Sequence, residues 1–194
     1  MIHQDAVQVA LAVLRALKPA CERVAIAGSI RRHKPLCKDV EIVFIPRYAM
    51  RQVDLFTEQP MAATDARIQE LIDDRFWEFD QETKRNGPKH KRLIHLESGM
   101  VIELFRADPG NWGLQMVLRT GPAEWNHLLV TRRPFGGAMP FDVLMADGSL
   151  WRAGKHRTIA TPTETAFFEV LGLPYVAPQE RSAEWLKAYL NGGD

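Results

Sequence analysis

The chain has 194 residues, 46% of them hydrophobic, enough to bury a core in one domain or two small ones. Its 25 lysines and arginines face 24 aspartates and glutamates, a net charge of +1, so attraction of nucleic acid by overall charge is excluded and that role falls to local clusters. Cys21 and Cys37 form no CxxC or Cys/His pattern, which argues for free thiols over a disulfide scaffold or a zinc site.

An early Asp5, no basic leader, and Arg15 and Lys18 soon after give neither a signal peptide nor a membrane span, and the expectation is a soluble, cytoplasmic protein. Residues 6–17, "AVQVALAVLRAL", form a buried helix that Pro19 stops. "RVAIAGSI" is a short strand running into a turn, and "DVEIVFI" is the next strand, closed by Pro46. A helix follows, capped at Thr64, with Ile68, Leu71 and Ile72 on one face. "KRLIHL" and "VIELF" alternate as paired strands, with Ser98 and Gly99 at the bend between them.

Beyond "RADPGN" short helices and turns alternate, punctuated by Gly113, Gly121, Pro122, Pro134, Gly136 and Gly137, and a domain boundary falls near Pro109. A capping box at Thr161 and Glu164 opens a helix broken at Gly172 and Pro174, and a last helix runs over 185–190.

Asp39 and Glu41 sit two apart in a strand and project from one face, where like charges destabilise each other unless a cation lies between them. Glu103 stands mid-strand among apolar neighbours, where a lone acid is expensive, and the three converge if "VIELF" pairs beside the first strand. Hard oxygen ligands suit magnesium, and two ions ~3.5 to 4 Å apart activate a hydroxyl and stabilise a leaving pyrophosphate. The competing reading of "DVE" alone is a half-buried strand with a solvated polar face. In "GSIRR", Gly28 permits close backbone approach, Ser29 can donate to a phosphate oxygen, and Arg31, Arg32 and Lys34 add positive charge.

With these residues on one strand-turn-strand unit, "GSIRRHKPLCKDVEI" resembles the glycine-serine turn and paired acids of the nucleotidyltransferase superfamily, and specifically of the family X DNA polymerases. "VIELF" resembles their third-acid strand, "LRTGPAEWN" their nucleotide-binding turn and "TETAFFEVLGLPYVAPQER" their C-terminal segment, in order along almost the whole chain. The resemblance implies an α+β fold: a palm of mixed sheet and helices over residues 1–109, then a small C-terminal α+β nucleotide-selecting domain over 110–194. It implies a minimal form without the N-terminal lyase domain.

By the same resemblance Asp39, Glu41 and Glu103 are the catalytic and metal-binding acids for two Mg2+ ions, with Mn2+ as a substitute. Gly28, Ser29 and Arg32 hold the incoming triphosphate, Thr120 and Gly121 lie against the sugar, and Asn126 meets the base edge; Trp125 falls on an aromatic position. The implied activity is addition of a nucleotide to a DNA 3′ hydroxyl in short gaps or repair, by a monomer working on primer-template or gapped DNA. The alternatives are transfer to an untemplated or non-DNA acceptor, and a catalytically weakened nucleotide- or nucleic-acid-binding module.

The chain departs from the family pattern in carrying Glu where its second and third acids are Asp. Val101 replaces an arginine, Leu118 and Arg119 a tyrosine-phenylalanine pair, and Val130 a template-contacting arginine for which Arg132 and Arg133 are substitutes. The stretch from Lys84 to Arg92, with Lys89 and Lys91, is a candidate contact to the phosphate backbone, with a solvated loop as the competing reading. A cis bond is expected at Gly121-Pro122, where proline lowers the cost to ~0.5 to 1 kcal/mol.

Overall fold

Alanine, valine and leucine at positions 6, 10, 13 and 17 recur at helical spacing, and helix α1 (His3–Leu17) buries all four along one stripe. The computed structural model describes residues 1–52, 57–83, 85–155 and 157–192, the side chain of Arg51 excepted. The chain divides into two compact units: Met1–Ile30 with Lys34–Ala107, and Arg31–His33 with Asp108–Asp194.

In the first unit, β1 (Cys21–Ile26) leads into a helical turn, α2 (Gly28–Arg31), and then β2 (Asp39–Pro46). A small antiparallel pair, β3 (Tyr48–Gln52) and β4 (Glu58–Ala62), precedes α3 (Ala63–Asp73), β5 (Trp77–Phe79), β6 (His90–His95) and β7 (Met100–Arg106). The main sheet has the order β1-β2-β7-β6-β5, parallel at β2 and β7 and antiparallel elsewhere. Alternation sorts its faces. Val40, Ile42, Phe44, Leu93, Ile102 and Leu104 pack against α1 and against Ile68 and Leu71 of α3. Burying each of these side chains stabilises the fold by ~1.5 to 3 kcal/mol. The intervening positions, Asp39, Glu41 and Glu103, share the opposite face.

Thr64 does not cap α3. Strand β4 runs directly into the helix, Ala62 takes the N-cap without a side-chain bond, and Thr64 is buried inside the first turn.

The second unit packs α4 (Trp112–Thr120), α5 (Ala123–Val130), α6 (Glu164–Leu171) and α7 (Ala183–Leu190) with a three-stranded antiparallel sheet of β8 (Val143–Ala146), β9 (Ser149–Arg152) and β10 (Thr158–Ile159). Its core holds Leu114, Val117, Trp125, Leu129, Phe167, Phe168, Leu171 and Leu186. Trp125 is fully buried, its ring centroid 5.7 Å from that of Trp185.

The cap of α6 lies two residues later than the sequence suggests. Thr163 accepts from the Ala166 amide, while Thr161 is buried and its carbonyl accepts from Gly113 N. Glu164 is thereby at the first helical position and its carboxylate is turned to arginines.

There is no cis peptide among the described residues, so Gly121-Pro122 is trans. Pro122 is extended, with φ −65° and ψ 155°, and stands as the N-cap of α5. Its carbonyl accepts from Asn126 N at 3.0 Å. A trans link therefore carries the chain from α4 into α5 and is the ordinary state of an X-Pro bond.

Among the described residues no helix is long and apolar enough to cross a membrane. Both cysteines are free and buried, and burial pushes the Cys21 thiol up to about 11 against the opposing charge of Arg47.

Candidate active site

The acid face of the first unit is set by register. Glu41 of β2 is the parallel partner of Glu103 of β7, and Asp39 is the partner of Val101 two residues along. Adjacent strands run ~4.8 Å apart, so two carboxylates at such a separation repel by roughly 3 kcal/mol at an effective dielectric of 20. On the far side of β7, Arg92 of β6 is the antiparallel partner of Glu103. One transverse row thus reads Glu41, Glu103, Arg92, and it continues to Asp80 just beyond β5.

Arg92 Nη1 donates to Glu103 Oε1 at 2.7 Å and Arg92 Nε donates to Asp80 Oδ2 at 2.6 Å. Arg85 Nη1 lies 3.7 Å and His90 Nε2 3.8 Å from the same Glu103 oxygen. The hydrogen bond from Arg92, with another from the Glu82 amide, holds the Asp80 carboxyl below the usual carboxylate value.

Gly28 explains the turn before β2. Its φ of +67° is the left-handed region, and a Cβ there would stand 1.9 Å from Glu41 Oε2. The side chain of Glu41 therefore lies over the glycine, and no other residue leaves it that room. Next to it, Ser29 Oγ is buried with no hydrogen-bond partner among the described residues. Buried hydroxyls in folded proteins ordinarily have a hydrogen-bond partner from the chain, a water or a ligand.

Three carboxylates on one face fit a hard divalent cation in donor type. As placed, they do not assemble it: among the described residues no group of three or more His, Cys, Asp or Glu side chains could hold a metal ion. Glu103 is turned to Arg92 instead.

In the second unit both arginines of the glycine-serine turn are held on Thr120. Arg31 Nη1 donates to Thr120 Oγ1 at 3.0 Å, and Arg32 Nη1 donates to the Thr120 carbonyl. Thr120 itself is fully buried. Arg31 also clasps Glu164 through two bonds of 2.8 and 2.5 Å, so its charge is matched within the unit and is no phosphate ligand as placed. Gly121 is needed for closeness, since a Cβ would fall 2.5 Å from Asn126 Oδ1 and 2.7 Å from Trp125 Cδ1. Asn126 Nδ2 donates to Leu118 O at 2.6 Å, which fastens the turn, while Asn126 Oδ1 is buried without a partner among the described residues.

The expected DNA-binding cations separate. Lys91 pairs with Asp65 at 3.3 Å, and Arg92 is taken up by Asp80 and Glu103. Arg133 donates to the Leu171 carbonyl at 2.6 Å and to the Ala138 carbonyl at 3.4 Å. Lys89 and Arg132 are exposed, and Lys84 lies outside the described residues. The roles of Asp80 and Arg92 were not read from the sequence. Counting the hairpin register outward from Ser98 and Gly99 pairs His95 with Met100 and so brings Arg92 opposite Glu103.

No protein-family model matches the chain, and no curated protein sequence matches it. Among solved structures, the ternary gap complex of Leishmania infantum polymerase beta aligns with a TM-score of 0.71 at 15% identity, over 94% of this chain and 70% of that one. The ternary P/T complex of the same polymerase aligns at 0.69 and 15% identity, over 94% and 76%. The chain has a polymerase beta-like fold. The mixed five-stranded sheet with its helices belongs to that α+β class, as the sequence motifs implied.

Proposed function

We propose that the protein is a magnesium-dependent nucleotidyltransferase that joins a nucleotide from a nucleoside triphosphate to a DNA 3′ hydroxyl, as a monomer acting in short-gap or repair synthesis. The observation that carries this reading is the in-register pair of Glu41 and Glu103, with Asp39 on the same face and Glu41 lying over the glycine of the turn. Asp39, Glu41 and Glu103 are the side chains that would hold magnesium, with manganese as a substitute, and a bound ion would supply charge stabilisation for the leaving pyrophosphate and a lowered pKa for the attacking hydroxyl.

The chain's own groups do the rest. Ser29 Oγ, buried without a partner, donates to a phosphate oxygen, and the backbone at Gly28 admits close approach. Glu103 has Oε1 held by Arg92, which leaves Oε2 to accept the hydroxyl proton. Arg32, Thr120 and Gly121 shape the nucleotide turn, and Asn126 Oδ1 is the acceptor for a base-edge donor. Lys89 and Arg132 meet DNA phosphates; Lys91, Arg92 and Arg133 hold the fold through the bonds described above.

A second reading, a binding module with weakened catalysis, is favoured by the hold of Arg92 on Glu103. Extension of a primer labelled at its 5′ end, with and without template and with deoxy- or ribonucleotides, separates the readings. Templated addition supports the polymerase and untemplated addition an end transferase. Nucleotide binding without addition supports the module and overturns the proposal.

A further inference from the structure

Arg152 at the end of β9, with Lys155 and Arg157 of the loop to β10, lines a cavity of about 290 Å³ together with Thr158, Ile159 and Ala160. The hairpin is closed by its own backbone: Arg152 N donates to Arg157 O and Lys155 N to Arg152 O. Arg152 is ion-paired with Asp142, so three positive charges face one carboxylate and two remain in excess. The Arg152 guanidinium bonded to Asp142 keeps that carboxyl below the usual range.

Directly before Asp142 stands Phe141, 75% exposed. The backbone on either side of it is tied, because Ala153 N donates to Asp142 O at 2.7 Å and Val143 N to Pro140 O at 3.1 Å. A second ring in the same segment, Phe135, is 78% exposed on a backbone tied by Phe135 N to Arg132 O. An exposed ring at Phe141, next in the chain to the Asp142 that pairs with Arg152, and the cations of the cavity offer the two halves of nucleotide recognition, a π-face for a base and positive charge for a phosphate.

We infer that this edge of the second unit binds an unpaired strand of nucleic acid, with backbone phosphates in the Arg152, Lys155 and Arg157 cavity and a base stacked on Phe141. The cavity volume is at the small end of ligand pockets, which run ~300 to 1,000 Å³, and suits a phosphate with its sugar better than a bulky ligand. A phenylalanine ring has no hydrogen-bond donor with which to read groove edges, and in a duplex the base faces are covered by their neighbours. Only an unpaired strand presents them. The inference rests on the second unit alone and not on the assignment of the catalytic acids.

The test uses the full chain and a labelled oligothymidylate, followed by fluorescence anisotropy over a range of salt. Phe141→Ala should weaken binding about tenfold and leave the salt slope unchanged, because it removes one stacked base. The double variant Lys155→Ala/Arg157→Ala should lower the slope by about 1.4, at ~0.7 per phosphate contact on a single strand. Asp39→Ala should bind the oligonucleotide as the parent does, so loss of nucleotide transfer and loss of this site read out separately. Unchanged affinity and slope in the Phe141 and double variants overturn the inference. So does a neutral Phe141→Ala with inorganic tripolyphosphate and oligonucleotide weakened equally by the double variant, which marks a general anion patch. A parent dimer that becomes monomeric in Phe141→Ala, with oligonucleotide binding intact, assigns the surface to a second copy of the chain and overturns it too.

Discussion

Both units bring arginine to a buried or half-buried glutamate, but only the first sets that glutamate beside a second one across the strands. In the second, Glu164 receives Arg31 on one side and Arg181 Nη2 at 3.0 Å on the other, and the Arg181 side chain is fully buried with its guanidinium 5.5 Å from the Phe168 ring centre. Burial alone would push the Glu164 carboxyl up; the bonds and charges of Arg31 and Arg181 outweigh it and hold the group below its ordinary value. In the first unit Glu41 and Glu103 are set side by side with Asp39 on the same face, and the cations gather on one Glu103 oxygen, Arg92 at 2.7 Å with Arg85 at 3.7 Å and His90 at 3.8 Å. A carboxylate closed on both sides by arginine holds a structure together. Carboxylates gathered like with like repel, and such an arrangement persists for what it binds.

That contrast can be broken most sharply at Glu164. Glu164→Gln leaves Arg181 buried beside no counter-charge and should lower folding stability by about 3 kcal/mol in urea denaturation. A loss below ~0.5 kcal/mol, the range of an ordinary surface change, would put Glu164 in the same class as the acids of the first unit.

Gly28→Ala comes next. A non-glycine residue in the left-handed region costs ~1 to 2 kcal/mol, and the added Cβ meets Glu41 Oε2. Stability should fall by that amount, and nucleotide transfer by a larger factor than stability explains, because Glu41 is displaced. Arg92→Ala should cost ~1 kcal/mol or somewhat more through its two charged hydrogen bonds, and should leave the salt slope of duplex DNA binding as it is in the parent. A slope lowered by about 1 would return Arg92 to the DNA path.

The smallest effect is in acid. The folded Glu164 carboxyl lies below its ordinary 4.5, so the stabilisation of this cluster is complete above pH 4.5 and is lost as the pH falls through the lower folded value. Urea melts at stepped pH below 4.5 should show a steeper stability loss in the parent than in Glu164→Gln, which keeps only the shares of other lowered carboxyls such as Asp80 and Asp142, and parallel curves for the two would remove the linkage.

Much of the first unit was legible because its signals are local. The alternation of "DVEIVFI" and "VIELF" gives strands, and the period of two places Asp39, Glu41 and Glu103 on one face once the strands are neighbours. Gly28 could be read as a close approach, though not that Glu41 is what approaches it. What escaped depends on pairing across the chain. Arg92 sits in a basic run that reads as a solvated or DNA-facing loop, and only the hairpin register turns it onto Glu103. Thr64 and Thr161 fit helix caps by spacing, yet β4 entering α3 without a turn and the two-residue shift of α6 gave the caps to Ala62 and Thr163. Arg31 looks like phosphate-binding charge in "GSIRR", and the Glu164 that engages it is 133 residues away. The Gly121-Pro122 bond followed the general preference of X-Pro bonds rather than the turn expected by resemblance.

Asp39 tests the central claim most directly, because it stands on the acid face with Glu41 and Glu103 and is one of the three proposed metal ligands. Primer extension by the parent and by Asp39→Ala, with urea denaturation of the same samples, measures chemistry and folding together. The account predicts that transfer falls on the order of a thousandfold while folding stability is unchanged or slightly raised by relief of like-charge repulsion. Equal extension rates in the two proteins, or a loss of transfer that follows a loss of folding, would contradict it.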